Sequence, residues 1–147
     1  MGKKEERVRL IYGIGHDVLE LKRISGLLEG RLGERFAART LTPGELALGE
    51  SRGGLTAEFA GGRFAAKEAV VKAFGCGIGS TMGFTDIEVL PDPAGQPKAE
   101  VSEEAMKRLM LPAGYRYTIH LTITHTRELA SAFAVVEQLE DDRGPWD

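Results

Sequence analysis

Residues 56–75 dictate the centre of this chain. The spacing predicts a long helix from about Thr56 to Phe74, with Gly75 placed to end it. Its second half, Phe64–Phe74, is rich in Ala, Val and Phe, so one side of the helix must be buried and the remaining elements pack against it. Into that stretch the sequence inserts Lys67, Glu68 and Lys72, followed by the glycine run Gly75-Cys76-Gly77-Ile78-Gly79. Glu68 and Lys72 are four apart and share a face. Lys67 lies about 100° round the cylinder from Glu68. Such a set suits a divalent metal and its surrounding phosphates, but Glu-to-Lys pairs at this spacing are also ordinary decoration of a solvated face. On the segment alone the ordinary solvated face is the better reading.

The length of 147 residues suits a single domain, here 1–147 with a core at about 10–139 and terminal extensions at 1–9 and 140–147. With 42% hydrophobic and 28% charged residues the composition is that of a soluble globular protein. The one cysteine, Cys76, has no internal partner and no Cys/His spacing suggests zinc, which points to a reducing, cytoplasmic setting. No apolar run reaches the length of a membrane span, and Met1-Gly2-Lys3-Lys4-Glu5-Glu6 lacks a signal-peptide core, so no membrane association is expected. The net charge of −3 divides unevenly: residues 1–75 hold 13 Lys+Arg against 10 Asp+Glu, and residues 76–147 hold 6 against 12. An acidic chain is a poor nucleic-acid binder, so no nucleic acid is expected as partner. A locally basic first half still attracts an acidic protein or a polyphosphate.

Residues 8–16 read as a strand that ends at Asp17, with Gly13 and Gly15 marking close approach of another backbone or a ligand. A helix from about Glu20 carries Leu21, Ile24, Leu27 and Leu28 at helical spacing, and a short one follows around Glu34–Arg39. Thr42-Pro43-Gly44-Glu45 has the form of a capping box with proline at the first helical position, and Ser51-Arg52-Gly53-Gly54 breaks the helix it opens. Beyond the long helix, Thr85–Leu90 and Lys98–Val101 form a hairpin around a turn-rich Pro91–Pro97, and a helix opens at Ser102 and ends near Pro112-Ala113-Gly114. Strands Tyr115–Thr124 and Leu129–Leu139 close the chain, ahead of an acidic, mobile tail from Glu140. The order predicts an α+β domain built on an antiparallel sheet, with a long central helix and several shorter ones.

Three positions hold groups that packing does not require. Asp17 ends a glycine-bearing strand, Glu68 interrupts an apolar helix, and His125 stands at the tip of the last hairpin. One or two carboxylates, with waters and substrate phosphates, are the usual cage of a hard ion such as Mg²⁺. Asp17 with Glu68 fits that count, and Lys67 and Lys72 supply charge for phosphates beyond it. Singly, Asp17 is as well explained as a helix N-cap and His125 as a turn residue. The glycine run is neither a Walker A loop nor a dinucleotide fingerprint, although such a loop lets backbone amides approach a phosphate or a thin pantetheine arm.

Three blocks in order carry a resemblance. Ile11-Tyr12-Gly13-Ile14-Gly15-His16-Asp17 with Glu20 and Arg23, then Gly62-Arg63-Phe64-Ala65-Ala66-Lys67-Glu68-Ala69 with Lys72-Ala73 and the glycine run, then Ile123-Thr124-His125-Thr126-Arg127-Glu128 together resemble the holo-[acyl-carrier-protein] synthase family of 4′-phosphopantetheinyl transferases, short single-unit type. The likeness spans about Ile11 to Glu137. It implies Mg²⁺-dependent transfer of the phosphopantetheine arm of coenzyme A to a serine of apo acyl carrier protein, releasing adenosine 3′,5′-bisphosphate, in fatty acid biosynthesis. By that resemblance Asp17 and Glu68 are the metal ligands and, with Lys72, the catalytic residues. Arg63, Lys67, Lys72 and Gly75 lie at the coenzyme A phosphates. Thr124 and His125 reach the nucleotide from a neighbouring subunit of a homotrimer with sites at subunit interfaces. Arg23, Arg31 and Arg35 receive the acidic carrier protein, in keeping with five basic and two acidic side chains in residues 22–39. Glu68 and a water polarised by the ion both qualify as the base for the serine proton, the second being favoured because a ligating carboxylate is electronically committed.

The chain departs from the family at His16, where an apolar residue is usual, at Gly61, where Ala is common, and at Leu129, where an aromatic often follows the Thr-Arg-Glu turn. None removes a ligand. A broader-range transferase for peptidyl carrier proteins would be about twice as long, as a duplicated form. A non-catalytic coenzyme A or carrier-protein binding module would not need Asp17, Glu68, Lys67 and Lys72 together.

Overall fold

The computed structural model describes residues 8–141; the part of the expected mobile tail beyond Asp141 lies outside the described residues. The first half runs β1 (Arg9–Glu20), α1 (Leu21–Glu29), α2 (Gly33–Thr40), α3 (Pro43–Ser51) and α4 (Ala57–Phe74). A 3-10 turn at Phe84–Asp86 leads into β2 (Ile87–Pro91), β3 (Pro97–Val101), α5 (Glu103–Arg108), β4 (Tyr115–His125) and β5 (Leu129–Glu140). The fold is α+β and its strand pairs are antiparallel, as the sequence predicts. The strands form two sheets, however: β1-β5-β4, and the separate hairpin β2-β3.

The predicted helix starts are in place. Thr42 and Glu45 exchange a reciprocal capping box at the start of α3, and the Thr56 hydroxyl accepts the Phe59 amide at 3.1 Å to open α4. Gly75 closes α4 in the left-handed region at φ +81°, with its N–H donated to Lys72 O and the Cys76 N–H donated to Val71 O.

Gly13 and Gly15 set the distance between α4 and the sheet. A Cβ on Gly13 would lie 1.9 Å from the carbonyl oxygen of Ala73, and one on Gly15 would lie 1.9 Å from that of Ala69. Two glycines spaced by two on a strand face one way, and two alanines spaced by four on a helix face one way. The helix therefore rests directly on the backbone of β1. Small residues continue this close packing: Ala65, Ala66 and Ala69 of α4 are buried with Ala130, Ala132 and Ala134 of β5 in one core.

Three boundaries differ from expectation, each for a physical reason. β1 does not stop at Asp17; it runs on to Glu20 because Asp17, Val18 and Leu19 pair with Ala132, Ser131 and Ala130 of the last strand. Thr85 belongs to the 3-10 turn rather than to β2, since Asp86 Oδ2 accepts the Gly83 amide at 2.9 Å and tightens the chain there. α5 ends at Arg108, well short of Pro112: Met110 turns to φ 53°, and Pro112 excludes the helical region for Leu111.

Candidate active site

The row Gly13, Gly15, Asp17 faces α4 along β1. The two glycines admit the helix, and the third position of the row carries a carboxylate to its edge. Lys72 Nζ lies 3.1 Å from Asp17 Oδ1 and 2.9 Å from the backbone oxygen of His16. Asp17 is 17% exposed and Lys72 49%, so this ion pair adds at most about 1 kcal/mol to stability and matters more for where it places charge. Glu68, one turn before Lys72, is half-buried. Burial first, and the Asp17 charge second, hold its carboxyl above the usual glutamate range, against the opposing pull of Lys72 and Arg23. Asp17, Lys72 and Arg23 thus all act electrostatically on Glu68.

Among the described residues no group of three or more His, Cys, Asp or Glu side chains comes together as a metal cage. An ion at this edge would have the carboxylates of Asp17 and Glu68 as its protein donors. That donor set excludes a softer metal that needs nitrogen or sulfur, and it fits Mg²⁺, which keeps waters and takes substrate phosphate oxygens. Two like charges held together also favour a bound cation.

A second cluster surrounds a cavity of about 460 Å³ whose wall includes Arg63, Arg52, Phe59, Ile123 and His125. Arg63 is only 8% exposed. Its Nε donates to Val89 O at 3.2 Å, and its guanidinium lies 3.9 Å from the Phe59 ring centroid. Arg52 approaches the same ring at 6.0 Å. His125 is the last residue of β4, paired with Ala130, and the exposed Thr124 pairs with Ser131. Arg52 and Arg63 bring positive charge to this wall, which also carries His125 and the carboxylate of Glu58. Neither Asp17 nor Glu68 belongs to its wall. Arg63 and Glu68 are five apart on α4, hence about 140° apart around it, and the two clusters occupy different flanks of one helix.

Two expected phosphate contacts are differently employed. Lys67 is 0% exposed, with its ammonium 2.6 Å from Glu45 Oε1 and 2.6 Å from the Thr40 carbonyl oxygen. It faces the interior because the position before Glu68 turns the side chain away from the Asp17 edge, toward α3. Burial lowers its pKa, and Glu45 opposes that shift. The Gly75 amide is donated to Lys72 O at 3.0 Å and closes the helix. Arg23 on α1, Arg31 beyond it and Arg35 on α2 are all exposed.

Sequence reasoning missed Arg52 and Phe59 at the cavity and Glu45 as the partner of Lys67. A signal for Phe59 existed, since Phe59 and Arg63 are four apart on a predicted helix. Arg52 sat inside a glycine break and was legible only as part of a turn. Glu45 was legible as a cap, and nothing local shows that a capping carboxylate also receives a lysine from another helix.

The chain is similar to known proteins over most of its length. The family model of the 4′-phosphopantetheinyl transferase superfamily matches residues 13–134. A holo-[acyl-carrier-protein] synthase of Methylobacterium sp. (strain 4-46) is 41% identical over 135 residues, 90% of this chain and 98% of the relative. The crystal structure of a holo-(acyl-carrier-protein) synthase from Bacillus anthracis str. Ames in complex with CoA (3′,5′-ADP) superposes with a TM-score of 0.69 at 38% identity, covering 90% of this chain and 98% of that one. The corresponding synthase from Neisseria meningitidis gives a TM-score of 0.75 at 35% identity, covering 86% and 98%.

Proposed function

The chain belongs to the 4′-phosphopantetheinyl transferase superfamily, and we propose that it is a holo-[acyl-carrier-protein] synthase acting in fatty acid biosynthesis. It transfers the 4′-phosphopantetheine arm of coenzyme A to a serine of apo acyl carrier protein and releases adenosine 3′,5′-bisphosphate. The observation that carries this is the meeting of Asp17, Glu68 and Lys72 at one edge of α4, in a chain with close relatives of that activity.

Asp17 and Glu68 would hold Mg²⁺, which when bound supplies Lewis-acid stabilisation of charge on the phosphoryl oxygens. Lys72 stands beside Asp17, where it neutralises charge developing on the departing bisphosphate. The serine oxygen forms the new P–O bond as the pyrophosphate P–O bond breaks, and the serine proton passes to the Glu68 carboxylate or to a water that it orients. Arg63, Arg52 and His125 hold the nucleotide phosphates in the cavity. The exposed Arg23, Arg31 and Arg35 present positive charge to an acidic carrier protein, which steers the encounter.

The protein works as a homotrimer in the cytoplasm, with each site completed across an interface. Two features support the shared site. The metal edge and the anion cavity lie on different flanks of α4, which suits one extended ligand held by two subunits. The outer face of the β1-β5-β4 sheet also leaves Ile14 59%, Val18 51%, Leu129 42% and Phe133 41% exposed, an apolar surface of the kind that marks an interface. Thr124 lies on that outer face beside Ser131. Among the described residues no helix is long and apolar enough to cross a membrane.

Intact-mass measurement of apo acyl carrier protein, incubated with the chain, coenzyme A and Mg²⁺, tests the assignment. A gain of one phosphopantetheine arm is expected. Binding of coenzyme A and carrier protein without a mass gain contradicts it and makes the chain a binding module.

A further inference from the structure

Val89 in β2 has both of its backbone polar groups taken by side chains. Glu45 Oε2 accepts its N–H at 2.9 Å, and its carbonyl oxygen accepts Arg63 Nε at 3.2 Å. Glu45 is itself 0% exposed, and its other oxygen accepts from Lys67 Nζ at 2.6 Å and from the Thr42 amide at 2.8 Å. Lys67 also donates to Thr40 O at 2.6 Å. A continuous line of bonds therefore runs from Lys67 in the interior, through Glu45 and Val89, to Arg63 at the cavity wall.

The bond at Nε has a geometric consequence. A guanidinium is planar, with one donor at Nε and four on its two terminal nitrogens. Fixing Nε on Val89 O, with the guanidinium near the Phe59 ring, sets the direction in which the terminal nitrogens point, and among the described residues these make no further hydrogen bond. A buried ion pair is also a weak device for stability alone, because well-packed apolar residues of similar volume usually serve as well or better. The Glu45–Lys67 pair is thus better accounted for by what it holds in place.

We propose that Glu45 is a positioning residue for anion binding: by anchoring the Val89 peptide it fixes the plane of Arg63 at the cavity, and Lys67 is the countercharge that permits a buried carboxylate there. The inference rests on the assignment of Arg63 as a coenzyme A contact. It adds to that assignment a residue which never touches the ligand.

Calorimetric titration of coenzyme A into five proteins tests it: wild type, Arg63→Ala, Glu45→Met/Lys67→Met, the triple combination, and Glu45→Gln. The Met pair removes both charges at similar volume and takes the acceptor away from Val89. About tenfold weaker binding is expected for it, the size typical when a group that orients a ligand-binding side chain is lost. In the Arg63→Ala background the same pair should cost nothing further, because its effect passes through Arg63. KM for coenzyme A should rise while kcat and KM for the carrier protein stay unchanged, a split that general loss of packing does not produce. Should the Met pair fail to fold, Glu45→Gln is expected to show a smaller loss, and a further variant, Glu45→Gln/Arg63→Ala, should bind no more weakly than Arg63→Ala alone. Unchanged affinity in the folded variants, or losses that add fully to that of Arg63→Ala, would overturn the proposal. Unchanged affinity in Arg63→Ala itself would instead remove the assignment of the cavity to coenzyme A.

Discussion

Lys67 and Glu68 are neighbours in sequence and opposites in environment. Lys67 is sealed in the interior, with Glu45 and the Thr40 carbonyl both at 2.6 Å. Glu68 stands half-buried at the edge of α4 facing a like charge, Asp17, with its carboxyl pushed above the usual range. One charge meets an opposite charge inside the protein, and the other shares its edge with a second carboxylate as well as with Lys72 and Arg23. The difference teaches that an ionisable residue in an apolar helix belongs to the fold when the chain itself completes its bonds. It belongs to the chemistry when the chain brings it a charge of the same sign.

The widest separation between the two should appear in activity. Asp17→Ala and Glu68→Ala are each expected to lower transfer by at least about a thousandfold, since the metal supplies several kcal/mol of transition-state stabilisation. Circular dichroism and the melting temperature should stay near wild type. Full activity in either variant would break the metal assignment.

Lys67→Met should act in the reverse manner, on stability. Removing it strands Glu45 as an unpaired buried carboxylate, at a cost of about 3–5 kcal/mol. Urea denaturation should show this loss, and most of it should return in Glu45→Met/Lys67→Met. A single variant as stable as wild type would mean that Lys67 is not the interior partner described here.

Gly15→Ala bears on both residues at once. The new methyl would sit 1.9 Å from the Ala69 carbonyl oxygen, on backbone that has nowhere to go. α4 must lift from β1, with an expected loss of about 1–3 kcal/mol in a denaturant titration. Transfer should also fall in the fraction that stays folded, because Asp17 and Glu68 part. Loss of stability without loss of activity would uncouple the helix–strand contact from the site.

The smallest effect concerns the metal-free protein. A carboxyl whose folded-state pKa is raised holds its proton more tightly folded than unfolded, so ionised Glu68 costs stability at neutral pH, and this cost vanishes as pH falls through the raised value. In chelator at pH 7, Glu68→Gln should therefore melt slightly higher than wild type, by up to about 2 °C. At a pH below the unfolded glutamate range the two should converge. A lower melting temperature for Glu68→Gln at pH 7 would contradict the sign.

Much of this was legible in sequence because the deciding signals were local. Thr42-Pro43-Gly44-Glu45 and Thr56 start their helices where capping chemistry places them, and Gly75 ends α4 in the left-handed conformation its position suggests. The electrostatic neighbourhood of Asp17 and Glu68 was legible through the family likeness and through the glycines that announce a close approach. The direction of Lys67 was not, because 100° of helix rotation decides it and the partner that receives it lies 22 residues upstream. β1 was read too short for a similar reason: Asp17–Glu20 is held as strand by pairing with residues at the far end of the chain. The division into two sheets was invisible for the same cause, since strand propensity carries no information on which strand pairs with which.

Anomalous diffraction from crystals soaked with Mn²⁺ and coenzyme A tests the central claim most directly. The account predicts a metal peak ligated by Asp17 and Glu68, with Lys67 still paired to Glu45 and out of contact with any phosphate. A peak that lacks either carboxylate, or Lys67 turned outward onto the coenzyme, would contradict it.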